Sequence, residues 1–222
     1  QSFTYDAEGQ LSKNTLTREG YLFSGWAKEA KASKADYADE ASVSNLTTDE
    51  GGIVTLYAVW TPITYTVKFD GNGATDGSMS SKKMTYDKTS TLKTNAYERT
   101  GYHFLGWALT ADAAGVEYEN LASVTNLTSE NGATVTLYAV WEANIYQVVF
   151  RAGGGEGTME PQSFTYDEAA KALSKNLFTK TGYSFRGWAE KETDTWVTYK
   201  DEEKVQNLLT EDGAVLTLFA LW

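Results

Sequence analysis

The sequence predicts an α+β chain, dominated by sheet and built from tandem units of about 80 residues. Three observations carry this. Gly20, Gly101 and Gly182 stand 81 residues apart, as do Trp26, Trp107 and Trp188, and Trp60, Trp141 and Trp222; self-similarity at a fixed period marks a repeat architecture. YTVKF at 65–69 and YQVVF at 146–150 alternate strictly, as half-buried strands do. DEAAKALSKN at 167–176 is a run of good helix formers lying between strand patterns.

The elements follow in order. In the second unit, residues 65–69 form an opening strand with Tyr65, Val67 and Phe69 on one face. GNGATDG then supplies a glycine-rich turn, and KMTYD at 83–87 a second strand. KTSTLKTN at 88–95, the counterpart of 167–176, is the expected short helix. GYHFLGW follows as a third strand, in which Gly106 is expected to mark a bulge that turns Trp107 inward. A polar loop over 109–121, an extended piece at 124–127 and the turn SENG lead to the last strand, TVTLYAVW.

The expected domains are 1–61, 62–142 and 143–222, the first lacking its opening strand because the chain begins at QSFTYD, which reappears at 162–167. That first unit should therefore leave a sheet position unfilled. The joints, only a few residues long and stiffened at Pro62, are expected to act as struts. Three units in file would make a rod on the order of 90 Å. A chain that starts and ends inside its own pattern is expected to be a fragment of something longer.

Composition removes several function classes. The net charge of −11 is spread evenly, at −4, −3 and −4 over the three units. No basic stripe stands out, so nucleic acid is a poor partner. No apolar run reaches membrane-spanning length. With no cysteine and a single histidine, a zinc site or a Ser-His-Asp triad is not expected. His103 replaces Leu22 and Ser184 of the other copies, which reads as an exposed strand position.

The residues YTVKFDGNGATDGSM, MTYD, GYHFLGWA, VTNLTSENGA and VTLYAVW together resemble the Listeria–Bacteroides repeat, or internalin-B B-repeat, over nearly the whole chain. The resemblance implies a β-grasp, ubiquitin- or SUMO-like fold. It also implies tandem modules of secreted or wall-attached bacterial surface proteins, serving as spacers and adhesion-related modules. It implies no catalytic residues. The third unit departs from the pattern, with RAGGGEG where the second carries Asp70 and Asn72-Gly73.

Asp70, Asn72 and Asp76 have the oxygen-rich look of a calcium loop, but the spacing lacks the closing Glu. A hairpin turn that uses Asn and Gly for positive φ is the reading adopted. Asn45 and Asn126 sit in glycosylation sequons, yet Asn207 has lost the Thr, so a side-chain-to-backbone bond is the shared role. Acidic pairs such as Glu40 with Glu50 or Asp201 with Glu202 do not recur in all three copies and read as solvated faces. Recurrent tryptophans in so small a unit belong to the core. Trp196 is unique to a loop of the third unit and is the one candidate surface contact.

The sequence thus leads to a non-catalytic spacer or stalk segment of a bacterial extracellular surface protein, with no cofactor or metal and with neighbouring repeats as partners. The alternative is a protein- or glycan-binding adhesion module that uses loops or sheet edges.

Overall fold

The computed structural model describes residues 1–222. Its packing divides the chain into two compact units, one of Gln1–Lys68, Ser80–Lys93 and Leu121–Thr136, the other of Phe69–Met79, Thr94–Asn120 and Leu137–Trp222. The first repeat and its joint to the second lie in one unit. The joint to the third repeat, and that repeat itself, lie in the other.

The third repeat shows the sheet complete. Its opening strand Ile145–Arg151 buries Tyr146, Val148 and Phe150, as the alternation requires. This strand pairs antiparallel with the second strand Gln162–Thr165 and parallel with the closing strand Val215–Leu221. The closing strand pairs antiparallel with Gly187–Ala189, from the Gly-Tyr-x-Phe-x-Gly-Trp box. The order is second, opening, closing, box. A central strand hydrogen-bonded on both sides leaves no backbone group unmet in the core. In the second repeat the strands Thr64–Asp70, Lys82–Thr85, Tyr102–Ala108 and Thr134–Ala143 take the same order.

The expected α+β class and β-grasp fold are overturned: no helix forms anywhere, and the chain is all-β, in several small sheets. Where a helix was expected, Lys171–Ala172 is a two-residue strand paired with Lys204–Val205, and Ser90–Thr91 pairs with Ser123–Val124. Gly9–Gln10 does the same with Ser42–Val43. The reason is length and anchoring. A ten-residue helix does not repay its nucleation without an apolar face to pack. Each segment offers a single buried anchor, Leu11, Leu92 or Leu173. The backbone N–H of each anchor donates across to the carbonyl of Ala41, Ala122 or Glu203, a bond that an extended chain makes and a helix does not.

The expected bulge is present. Pairing of the box strand with the closing strand shifts register between Phe104 and Gly106, and between Phe23 and Gly25 in the first repeat. Gly25 and Gly187 adopt φ of 127° and 145°, and a Cβ on Gly25 would lie 2.3 Å from the carbonyl oxygen of Tyr37. The shift aims Trp107 and Trp188 into the core, where both are fully buried. Phe69 and Phe104 each centre 5.0 Å from Trp107, and Phe150 and Phe185 lie 4.8 and 4.9 Å from Trp188.

The first repeat has only the box strand Tyr21–Ala27 and the closing strand Tyr57–Pro62, in a two-stranded sheet. Its opening-strand position is empty, as the sequence led one to expect.

Candidate functional site

The fixed Gly-Tyr of the box works at the joints between repeats. Tyr21 Oη donates to Asp87 Oδ2 at 2.7 Å, and its ring meets that of Tyr86 edge-on at 5.9 Å. Ile63 N donates to Gly20 O at 2.9 Å. One repeat later, Tyr102 Oη donates to Asp167 Oδ2 at 3.0 Å, its ring meets Tyr166 at 6.0 Å, and Asn144 N donates to Gly101 O at 2.8 Å. The guanidinium groups of Arg18 and Arg99 cover the outer faces of Tyr21 and Tyr102 at 3.7 and 3.8 Å. Glycine is required because a Cβ on Gly20 or Gly101 would lie 2.2 Å from the neighbouring tyrosine ring. Gly182 of the last box meets nothing within 4 Å, and Tyr183 is 62% exposed.

The aspartates that receive these hydroxyls are positioned by asparagines about forty residues away. Asp87 N donates to Asn126 Oδ1 at 2.6 Å, and Asn126 Nδ2 donates back to Asp87 Oδ1 at 2.7 Å. Asp167 with Asn207, and Asp6 with Asn45, make the same pair of bonds. All six residues sit at φ between 52° and 59°, a region that Asn and Asp tolerate better than other side chains. The asparagine bond chiefly, and then the Tyr21 hydroxyl, hold the Asp87 carboxyl below its ordinary range. The Asp87 bond raises Tyr21, while burial first and Asp167 second raise Tyr102. The asparagines of the sequons thus form a side-chain-to-backbone bond as expected, but across the fold rather than within a turn.

The other candidates are occupied in packing. Asn72 adopts φ 44°, takes its N–H to Asp70 Oδ1 at 3.0 Å, and spends both amide hydrogens on the carbonyls of Ala111 and Ala139, each at 2.9 Å. In the third repeat the equivalent Gly153 is approached by the Ala220 carbonyl so closely that a Cβ would lie 2.1 Å from it. Asp76 Oδ1 caps the Gly77 N–H. His103 is half-buried at the second joint instead of fully exposed. Its Nδ1 lies 2.8 Å from Asn144 Oδ1, and its Nε2 lies 3.2 Å from Glu142 Oε2. Asn144 Nδ2 donates to Thr210 O, which orients the amide so that Oδ1 receives the imidazole N–H. Trp141 and Trp222 are half-buried and place their indole N–H on the carbonyls of Gly71 and Ala152. Trp196 stands 62% exposed in its loop, away from all of these.

Only the first repeat presents an open apolar site. A groove of about 950 Å³ runs where an opening strand would lie, lined by Phe3, Leu11, Trp26, Leu46, Val54 and Leu56 among others. Phe3 is 39% exposed, whereas its counterpart Phe164 is 3% exposed. Phe23 meets Trp26 and Trp60, but no third ring covers Trp26 as Phe69 covers Trp107. The sequence announced the vacancy. It gave no sign of the joint, although the recurrence of Gly-Tyr and of Thr-Tyr-Asp in following repeats could have suggested that they pair.

These features define an all-β tandem-repeat protein whose fixed residues serve cores and joints. The chain belongs to the Listeria-Bacteroides repeat domain family, whose family model matches residues 1–59, 65–140 and 146–212. It is similar to two proteins of Evansella cellulosilytica. One, provisionally described as a Gly-rich membrane protein, is 31% identical over 83% of this chain and 21% of its own length. The other, provisionally described as a membrane protein, is 32% identical over 64% of this chain and 20% of its own. The chain therefore spans about a fifth of the length of the curated relatives it matches. No solved structure matches it significantly. No helix here is long and apolar enough to cross a membrane.

Proposed function

We propose that this chain is a non-catalytic spacer segment of a bacterial cell-surface protein, and that each repeat's working partner is the next repeat. The observation that carries the reading is the joint, made twice with the same hydroxyl–carboxylate bond, the same tyrosine pair and the same glycine carbonyl bond. A segment that uses its most constant polar residues to fix one repeat against the next is suited to transmitting position. Relatives described as membrane proteins support a place at the envelope; exposure on its outer side belongs to the proposal. Small-angle scattering of the chain tests the reading. A single conformer should fit the curve, and the pair Tyr21→Ala and Tyr102→Ala should broaden the distribution of dimensions. A chain whose unmutated form already scatters as freely jointed beads would end the spacer reading.

The second reading, an adhesion module, is favoured by the exposure of Trp196. Glycan-array or host-protein binding that disappears in Trp196→Ala, with melting temperature unchanged, would select it.

A further inference from the structure

We infer that the groove of the first repeat is a strand-acceptor site for an extended segment of the pattern Tyr-x-Val-x-Phe, donated by the opening strand of another repeat of this family. The occupant is read from the chain itself, because the equivalent positions of the second and third repeats are filled by Thr64–Asp70 and Ile145–Arg151. Every partner that those strands use has an unfilled counterpart in the first repeat.

The backbone partners come first. Gly132 N and Gly213 N donate to the opening-strand carbonyls of Thr64 and Ile145, and the carbonyls of Ala133 and Ala214 accept from the N–H groups of Thr66 and Gln147. At the 81-residue period these positions fall on Gly51 and Gly52, both at the groove. The closing strand is pairable over 215–219 in the third repeat, but in the first repeat residues 53–56 form no strand, and Ile53 is 92% exposed. The donor would enter parallel to 54–58 and antiparallel to the chain at Ser2–Tyr5, as Ile145–Arg151 lies between its own neighbours. Such addition of a strand to an unpaired edge draws affinity from main-chain bonds and register from alternate side chains.

The side-chain partners follow. Tyr65 Oη and Tyr146 Oη accept from the N–H of Leu127 and Leu208, at 3.3 and 3.1 Å; the counterpart is Leu46, which lines the groove. Phe69 and Phe150 lie on Trp107 and Trp188; the counterpart is Trp26, left half-buried. The donor's first aromatic therefore sits by Leu46, its Val between the two sheet neighbours, and its Phe on Trp26. Adding the strand would complete the four-stranded order seen in the other two repeats.

Titration of the 222-residue chain with the synthetic peptide Ile-Tyr-Gln-Val-Val-Phe-Arg tests this, with hydrogen exchange of assigned amides as the readout. Saturable binding is expected, with the Leu46 and Gly51 amides protected at least tenfold. A peptide carrying the change Val148→Asp should bind at least tenfold more weakly. All the changes are made in the peptide, so the fold of the protein is not put at risk. Equal binding of the altered peptide, protection elsewhere than at the groove, or no saturation at millimolar peptide would each overturn the inference. None of these outcomes bears on the spacer reading, which rests on the joints.

Discussion

Gly101 and Gly182 occupy the same place in successive boxes, at φ of 76° and 80°. Alanine at either meets the left-handed backbone penalty of roughly 1–2 kcal/mol. At Gly101 it also meets the Tyr166 ring, and overpacking of that kind costs a further ~1–3 kcal/mol. Gly101→Ala should therefore lower the melting temperature clearly more than Gly182→Ala; equal losses would mean that the joint is not closed in solution. Tyr102→Phe should cost about 0.5 kcal/mol, the lower end for a hydrogen bond because the pair is partly solvated. Tyr183→Phe, with its ring exposed, should cost nothing measurable. Trp107→Ala should cost ~3–5 kcal/mol, and Trp26→Ala distinctly less, since Trp26 still reaches the groove. The indole N–H of Trp107 and that of Trp188 find no acceptor in the core, so a phenylalanine there gives back part of the loss.

At the scale of the element, the segments 88–95 and 167–176 show why helix-forming residues did not form a helix. Each is entered through an aspartate, Asp87 or Asp167, fixed in a left-handed conformation by an asparagine from a distant strand end. Each then places one leucine, Leu92 or Leu173, into the core. If this account holds, Leu173→Ala should cost ~2–5 kcal/mol by loss of a buried leucine. Lys171→Gly, which lowers helix propensity, should change stability far less than the ~1 kcal/mol that a helical position would show. Chemical denaturation of the two variants distinguishes the cases.

For the whole molecule, the titrating groups set the pH limits of stability. Tyr199 is pushed up from 10.0 to about 12, by burial first and by its bond to Glu190 second. The fold therefore favours the protonated phenol; its contribution is complete below pH 10 and is lost as pH rises toward about 12. Thermal melts between pH 9 and 12 should show a falling melting temperature, with a shallower fall in Tyr199→Phe. Asp87 has the opposite sign. Its lowered carboxyl contributes fully above the ordinary value of 3.8, and the contribution is lost as pH falls through its lower folded value. Acid should loosen the joint between the first two repeats, and Asp87→Asn should remove that part of the pH dependence.

The sequence by itself determined the period, the alternation of Tyr65, Val67 and Phe69, the bulge at Gly106, the burial of Trp107 and Trp188 and the vacancy in the first repeat. These are local or repeated patterns, and local sterics together with the division between apolar and polar faces fix them. What only the tertiary structure decided is where fixed residues without an apolar pattern find their partners. The Gly-Tyr of one repeat meets the Tyr-Asp of the next more than sixty positions on. Asn126 holds Asp87 across thirty-nine. Leu92 and Leu173 drew their segments into extended pairs against their helix propensity. Such contacts depend on how distant strands are brought side by side, and a linear pattern carries no record of that distance.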